Sequence, residues 1–110
     1  MKTQQPLLKI SIKASANLEN LMRFVGFNGN YAGAGAAALG VLDAATNQGE
    51  QAPVITYGVV LVEAGAAISA GQAIESDAQG RAVPRTTGVL LGYALDAASG
   101  GGEIIRIKLV

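Results

Sequence analysis

The chain has 110 residues, half of them apolar, with eight cations balancing eight carboxylates and neither Cys nor His. This length suits one domain that buries roughly two-thirds of its unfolded surface. Without Cys and His there are no disulfide scaffolds, no zinc fingers and no Ser-His-Asp or Cys-His catalysis, so only carboxylate, Lys or Tyr chemistry is left.

Leu8, Ile10 and Ile12 alternate with Lys9, Ser11 and Lys13. This is the period of a strand with one buried face. The small, polar stretch from Ala14 to Glu19 follows, which makes the first strand an extended arm able to pair away from the body, with a neighbour. A short helix beginning at Asn17, with Leu18, Leu21 and Met22 inside, is the alternative for its C-terminal part. Residues 1–22 are thus read as an N-terminal arm and residues 23–110 as the globular body.

Arg23 to Phe27 reads as a strand, and Asn28-Gly29 as the turn that ends it. Tyr31 to Ala38 is almost all Gly and Ala and leads loosely into a strand at Ala38 to Leu42. Val54 to Val62 is the longest β-branched run and is expected to be a central strand. Ala73 to Ser76 and Arg81 to Val83 form a hairpin around Asp77-Ala78-Gln79-Gly80, where Asp supplies an acceptor and Gly a positive φ. Val89 to Leu95 and Glu103 to Val110 complete seven or eight short strands, the pattern of a small barrel or sandwich. No run approaches the roughly 20 apolar residues of a membrane-spanning helix. Lys9 and Lys13 interrupt the apolar stretch after Pro6, which argues against a secretory leader.

An internal echo runs through the chain. Leu39-Gly40-Val41-Leu42-Asp43-Ala44-Ala45 recurs as Leu91-Gly92-Tyr93-Ala94-Leu95-Asp96-Ala97-Ala98 with one insertion, and Gly49-Glu50 recurs as Gly102-Glu103. Each copy reads as strand, loop, Gly-Glu, strand, and two such units would close a barrel.

Charge is uneven along the chain: four cations against Glu19 up to Arg23, then five carboxylates and no cation to Gly80, then a cationic excess to the end. Nucleic-acid binding needs a stronger basic excess and stacking aromatics. Gly33-Ala34-Gly35-Ala36-Ala37-Ala38 resembles a relaxed dinucleotide fingerprint but precedes a strand, so it reads as a loop. Glu75 and Asp77 stand two apart, where two carboxylates can hold a cation or share a proton. The simpler reading is that Asp77 caps a turn, Glu75 is ordinary surface, and Asp43 and Asp96 bond backbone N–H groups at strand ends. No cofactor or metal site is expected, and an enzyme built on Glu75 and Asp77 is the weakest reading.

The residues Arg23-Phe24-Val25-Gly26-Phe27-Asn28-Gly29, Ala38-Leu39-Gly40-Val41, Gly58 to Gly71, Ser76 to Pro84, Gly92-Tyr93-Ala94-Leu95 and Gly102 to Ile107, in this order, resemble the head-decoration or capsid cement proteins of tailed bacteriophages. The resemblance implies an all-β, small β-barrel or β-tulip body with an extended N-terminal arm. It also implies a non-enzymatic virion protein, made in the host cytoplasm, that binds the outer capsid surface and bridges major capsid protein subunits. Homotrimers at threefold or quasi-threefold positions are implied as well, with no direct contact to nucleic acid or membrane. The capsid-binding residues would be Leu8, Lys9, Ile10, Ile12, Lys13 and Arg23, with Lys2 also meeting acidic capsid groups. A carbohydrate- or ligand-binding β-barrel module is the alternative, weakened by the absence of Trp.

Overall fold

The computed structural model describes residues 3–110. In chain order its strands are β1 (Gln5–Lys13), β2 (Phe24–Val25), β3 (Gly40–Leu42), β4 (Gln51–Glu63), β5 (Ala73–Ser76), β6 (Ala82–Pro84), β7 (Gly92–Ala94) and β8 (Ile104–Leu109). The β-branched run forms the longest of them, β4. It pairs antiparallel with β1 over Gln51–Val59, with β3 at Val54 and Ile55, and with β8 over Val59–Glu63. From β8 the sheet continues through β7 and β5 to β6, and from β3 to β2. The Phe24 N–H bonds the Gly80 carbonyl at 2.7 Å, and the Gly65 N–H bonds the Ala82 carbonyl at 2.7 Å. The first bond brings the two ends of the sheet together and the second ties the end of β4 to β6, and the result is a nearly closed barrel.

Alternation along β4 divides the core in two. Ile55 and Val60 join Phe24, Val41, Ile74, Ile105 and Ile107 inside the barrel. Val54 and Ala52 face the other way and pack with Leu18, Val25 and Leu42 under the 14–22 segment. Up to Ile55, β4 is therefore covered on both faces, which suits its apolar sequence there. Phe24 is the one fully buried aromatic, and the rest of the core is aliphatic, as the composition implies.

The echo is a structural duplication, and it extends well beyond the matching letters. Ile12 pairs with Ala52 as Val62 pairs with Ile105. Ala14 donates to Glu50 and accepts from Gly49, while Ala64 donates to Glu103 and accepts from Gly102. Leu18 and Thr46 exchange two backbone bonds, as do Ile68 and Ala98. Gly40 and Gly92 hold equivalent places: a Cβ on Gly40 would lie 2.1 Å from the Ile55 carbonyl oxygen, and one on Gly92 would lie 2.4 Å from that of Lys108. β4 serves both halves, its N-terminal part closing the first and its C-terminal part opening the second.

Three expectations change. Among the described residues there is no helix, including at Asn17. The two bonds between Leu18 and Thr46 hold that segment extended and bury Leu18 completely, which outweighs local helix propensity. Residues 5–13 do not extend away from the body but form β1 against the chain's own β4, with Ile12 packed on the second core cluster. The strand expected from Arg23 to Phe27 is cut to Phe24–Val25, because Gly26 turns the chain by bonding the Asn30 carbonyl at 2.8 Å.

Candidate functional site

β1 is the most exposed strand of the molecule. Eight of its nine residues are exposed, and it pairs with β4 and with no other strand among the described residues. Pro6 and Leu8 bracket a register irregularity that pushes Leu7 outward to 75% exposure, with Leu8 at 54%. Opposite this bulge Gly58 adopts φ +108, where a Cβ would lie 2.5 Å from the Gln5 carbonyl oxygen. Only Gly lets the two backbones approach so closely here.

The residues expected to bind a partner do not form one group. Leu8, Ile10 and Lys13 are exposed on β1. Ile12 is half-buried against the second core cluster. Lys9 Nζ lies 2.7 Å from Asp43 Oδ2. Arg23 lies off β1 altogether, in a network where its Nη2 is 3.3 Å from Glu63 Oε1 and its guanidinium stands over the Tyr31 ring at 5.9 Å. Lys2 falls outside the described residues.

The second exposed feature was not expected. β3 and β8 diverge from β4 near Thr56 and leave a cleft of about 190 Å³ lined by Phe24, Leu39, Leu91 and Leu109 and rimmed by Phe27, Val89 and Val110. Phe27 is 66% exposed. A neighbouring depression of about 230 Å³ joins it at Leu109 and is lined by Leu7, Tyr57, Val59 and Lys108. Strand alternation predicts inward residues well. It gave no warning of these, because Phe27 lies beyond a shortened strand and Leu7 lies on a bulge.

The acidic residues are structural. Asp77 caps its hairpin by accepting from the Gln79 and Arg81 N–H groups at 2.8 and 2.9 Å. Asp96 bonds both the backbone and the guanidinium of Arg106, which raises the Arg106 pKa further above its ordinary value. Glu75 is not surface: it is 8% exposed, and its carboxylate accepts from the Thr86 N–H and hydroxyl and the Gly88 N–H. The Thr86 N–H bond, with smaller help from Gly88, the Thr86 hydroxyl and Arg85, lowers its pKa in spite of burial. Glu75 thereby pins the 86–88 loop. Among the described residues no His, Cys, Asp and Glu group is arranged to hold a metal ion.

Comparison with known proteins bears on this surface. A search of curated proteins finds no match. The phage cement protein family matches residues 1–109. The chain belongs to the phage cement protein family. Among solved structures this cement protein is similar to the base of head fiber gp8.5 of bacteriophage phi29 (its "N base"), with 19% identity, TM-score 0.75, and 94% of this chain and 93% of that chain covered. That likeness establishes the shared all-β barrel. The family is one of structural, capsid-associated phage proteins.

Proposed function

We propose that this cement protein binds the outer surface of the mature phage capsid and stabilises the shell by bridging major capsid protein subunits. The observation that carries the reading is the run of exposed apolar side chains Leu7, Leu8 and Ile10 on the nine-residue strand β1, the kind of apolar patch that marks an interaction site. Leu8, Ile10 and Lys13 make the direct contact. Ile12 supports it from behind, Lys9 is shared with Asp43, and Arg23 would meet the capsid apart from β1, from its place beside Glu63. The apolar cleft suits self-association, and the protein acts as a homotrimer at threefold or quasi-threefold positions. It is made in the host cytoplasm and reaches the virion by binding only the mature lattice, so each bound copy raises the free energy needed to rupture the shell.

The test is co-sedimentation of the purified protein with expanded capsids assembled without it, followed by thermal rupture of the loaded and bare shells. Saturable binding at a fixed copy number and a raised rupture temperature are expected. Absence of binding, or an unchanged rupture temperature at saturation, overturns the reading. Light scattering on the protein alone reports the oligomer.

A further inference from the structure

β6 and β7 are joined by residues 85–91, a stretch without regular structure whose two ends are fastened to neighbouring residues of β5. The Arg85 N–H bonds the Ala73 carbonyl at 2.9 Å, and the Leu91 N–H bonds the Ile74 carbonyl at 2.9 Å. Between these anchors none of residues 86–90 is buried, and Val89 is 46% exposed. A loop with so little apolar burial depends on its hydrogen bonds to stay in place. Glu75 Oε1 supplies most of them, accepting from the Thr86 N–H, the Thr86 hydroxyl and the Gly88 N–H. The Val89 N–H adds a bond to the Gly35 carbonyl at 3.0 Å.

Gly35 lies in the Gly- and Ala-rich stretch that resembles a dinucleotide fingerprint, and its place in the fold gives that glycine a different use. It adopts φ +65, and its own N–H bonds the Ser76 carbonyl at 2.8 Å. A Cβ on Gly88 would lie 2.5 Å from Gly35 Cα and 2.6 Å from Glu75 Oε2, so the carboxylate and the two glycines meet with no room for a side chain between them. Directly beyond this junction the two stretches supply Ala37, Ala38, Val89 and Leu90 to the apolar cleft, which they line together with Phe24 and Leu91. The charged neighbour of Glu75 is Arg85. β6 sets Val83 opposite Glu75, β7 sets Tyr93 opposite Ala73, and residues 33–38 contain no titratable group. Asp77, two residues on, is engaged with Arg81.

We infer that Glu75 is the latch of the cleft wall: its carboxylate holds residues 86–90 against residues 33–38, and its protonation releases that loop and opens the cleft while the barrel stays folded. An ionised carboxylate is a stronger acceptor than a neutral one, so all three bonds weaken together when the charge is lost. The same bonds, that from the Thr86 N–H foremost, keep the Glu75 pKa below its ordinary value. The closed loop therefore favours the ionised form more than the open loop does. Closure is complete above the ordinary carboxylate pKa and is lost as pH falls through the lowered value.

The latch needs neither a capsid nor a second copy, so its test is independent of capsid binding. Amide exchange of the free protein is followed from neutral pH to about pH 3, as protection relative to an unfolded chain, alongside binding of a fluorescent apolar dye. In wild type the Thr86, Gly88 and Val89 amides are expected to lose about tenfold or more of their protection in acid while those of β8 keep theirs, and dye binding is expected to rise over the same range. Glu75→Gln, which keeps the shape and removes the charge, is expected to show low protection at these amides and raised dye binding already at neutral pH, with no further change in acid. Thr86→Val removes the hydroxyl bond and leaves the carboxylate, and is expected to move the acid transition to higher pH, which serves as the check where Glu75→Gln does not fold. Protection that survives in acid, or is lost only together with that of β8, overturns the latch. So does wild-type protection at neutral pH in Glu75→Gln, or an acid transition that Thr86→Val leaves in place. Loss of protection without a rise in dye binding overturns the opening of the cleft.

Discussion

Lys9 and Asp43 meet at 2.7 Å across β4, tying the edge strand β1 to the end of β3. Asp43 is also approached by Gln4 Nε2 at 3.5 Å, so one carboxylate receives two residues of the N-terminal segment.

The Lys9 side chain is half exposed, so the pair contributes little to global stability. Asp43→Asn is expected to lower stability by less than about 1 kcal/mol, with the difference shrinking as salt rises. Urea melts at low and high ionic strength check this. A loss of several kcal/mol would mean that β1 is held mainly by this contact.

Gly58→Ala places a Cβ at φ +108 against the Gln5 carbonyl and the Leu7 N–H, 2.5 and 2.8 Å away. It is expected to destabilise by more than about 1 kcal/mol and to raise amide exchange at residues 5–8 while sparing the Ala14 region. Uniform loss of protection would show that the two ends of β1 come apart together.

Glu75 supplies a pH dependence with a definite sign. Its pKa is lowered in the fold, so its contribution is fully present above the ordinary carboxylate pKa and is lost as pH falls through the lowered value. The melting temperature is expected to drop with acidification below about pH 4. Glu75→Gln is expected to be less stable at neutral pH and to have a shallower acid limb. Identical acid limbs in the two proteins would rule out Glu75 as the group responsible.

Phe24→Ala removes the one fully buried aromatic and is expected to cost about 3–5 kcal/mol, a large share of the stability of a small domain. Circular dichroism during denaturant titration reads the loss.

Phe27 and Val110 rim the cleft and are exposed, so Phe27→Ser with Val110→Ser is expected to leave the melting temperature within a few degrees of wild type. If the cleft is where copies meet, the mass measured by light scattering falls to that of a single chain. An unchanged oligomer would move that contact elsewhere.

The sequence was most legible where side chains carry the signal. Ile105 and Ile107 alternate with Arg106 and Lys108 and lie as that alternation requires, and Asp77 with Gly80 marks the β5–β6 turn. The echo was readable where Leu-Gly and Gly-Glu recur. Its extension to Ala14 with Ala64 and Leu18 with Ile68 was not, because backbone groups make those matching contacts and any side chain can accompany them. The same reason hid the partner of β1: period two identifies a strand but not the edge it joins. Glu75 was misread because its partners lie eleven and thirteen residues away, in a Gly- and Thr-rich loop that local spacing does not connect to it. The residues expected to bind scattered for a related reason, since Arg23 and Lys9 found carboxylates within their own chain.

The shared strand β4 has a mechanical consequence. A pull along the axis of β1 slides it lengthwise against β4, so the bonds from Lys13 to Gln5 strain together and none yields before its neighbours. A pull at right angles would open the same ladder one rung at a time, beginning at the irregular Leu7 end. Tension in the first direction passes into a strand that runs through both halves of the barrel. The β1–β4 ladder therefore resists a load directed along its strands far better than one directed across them.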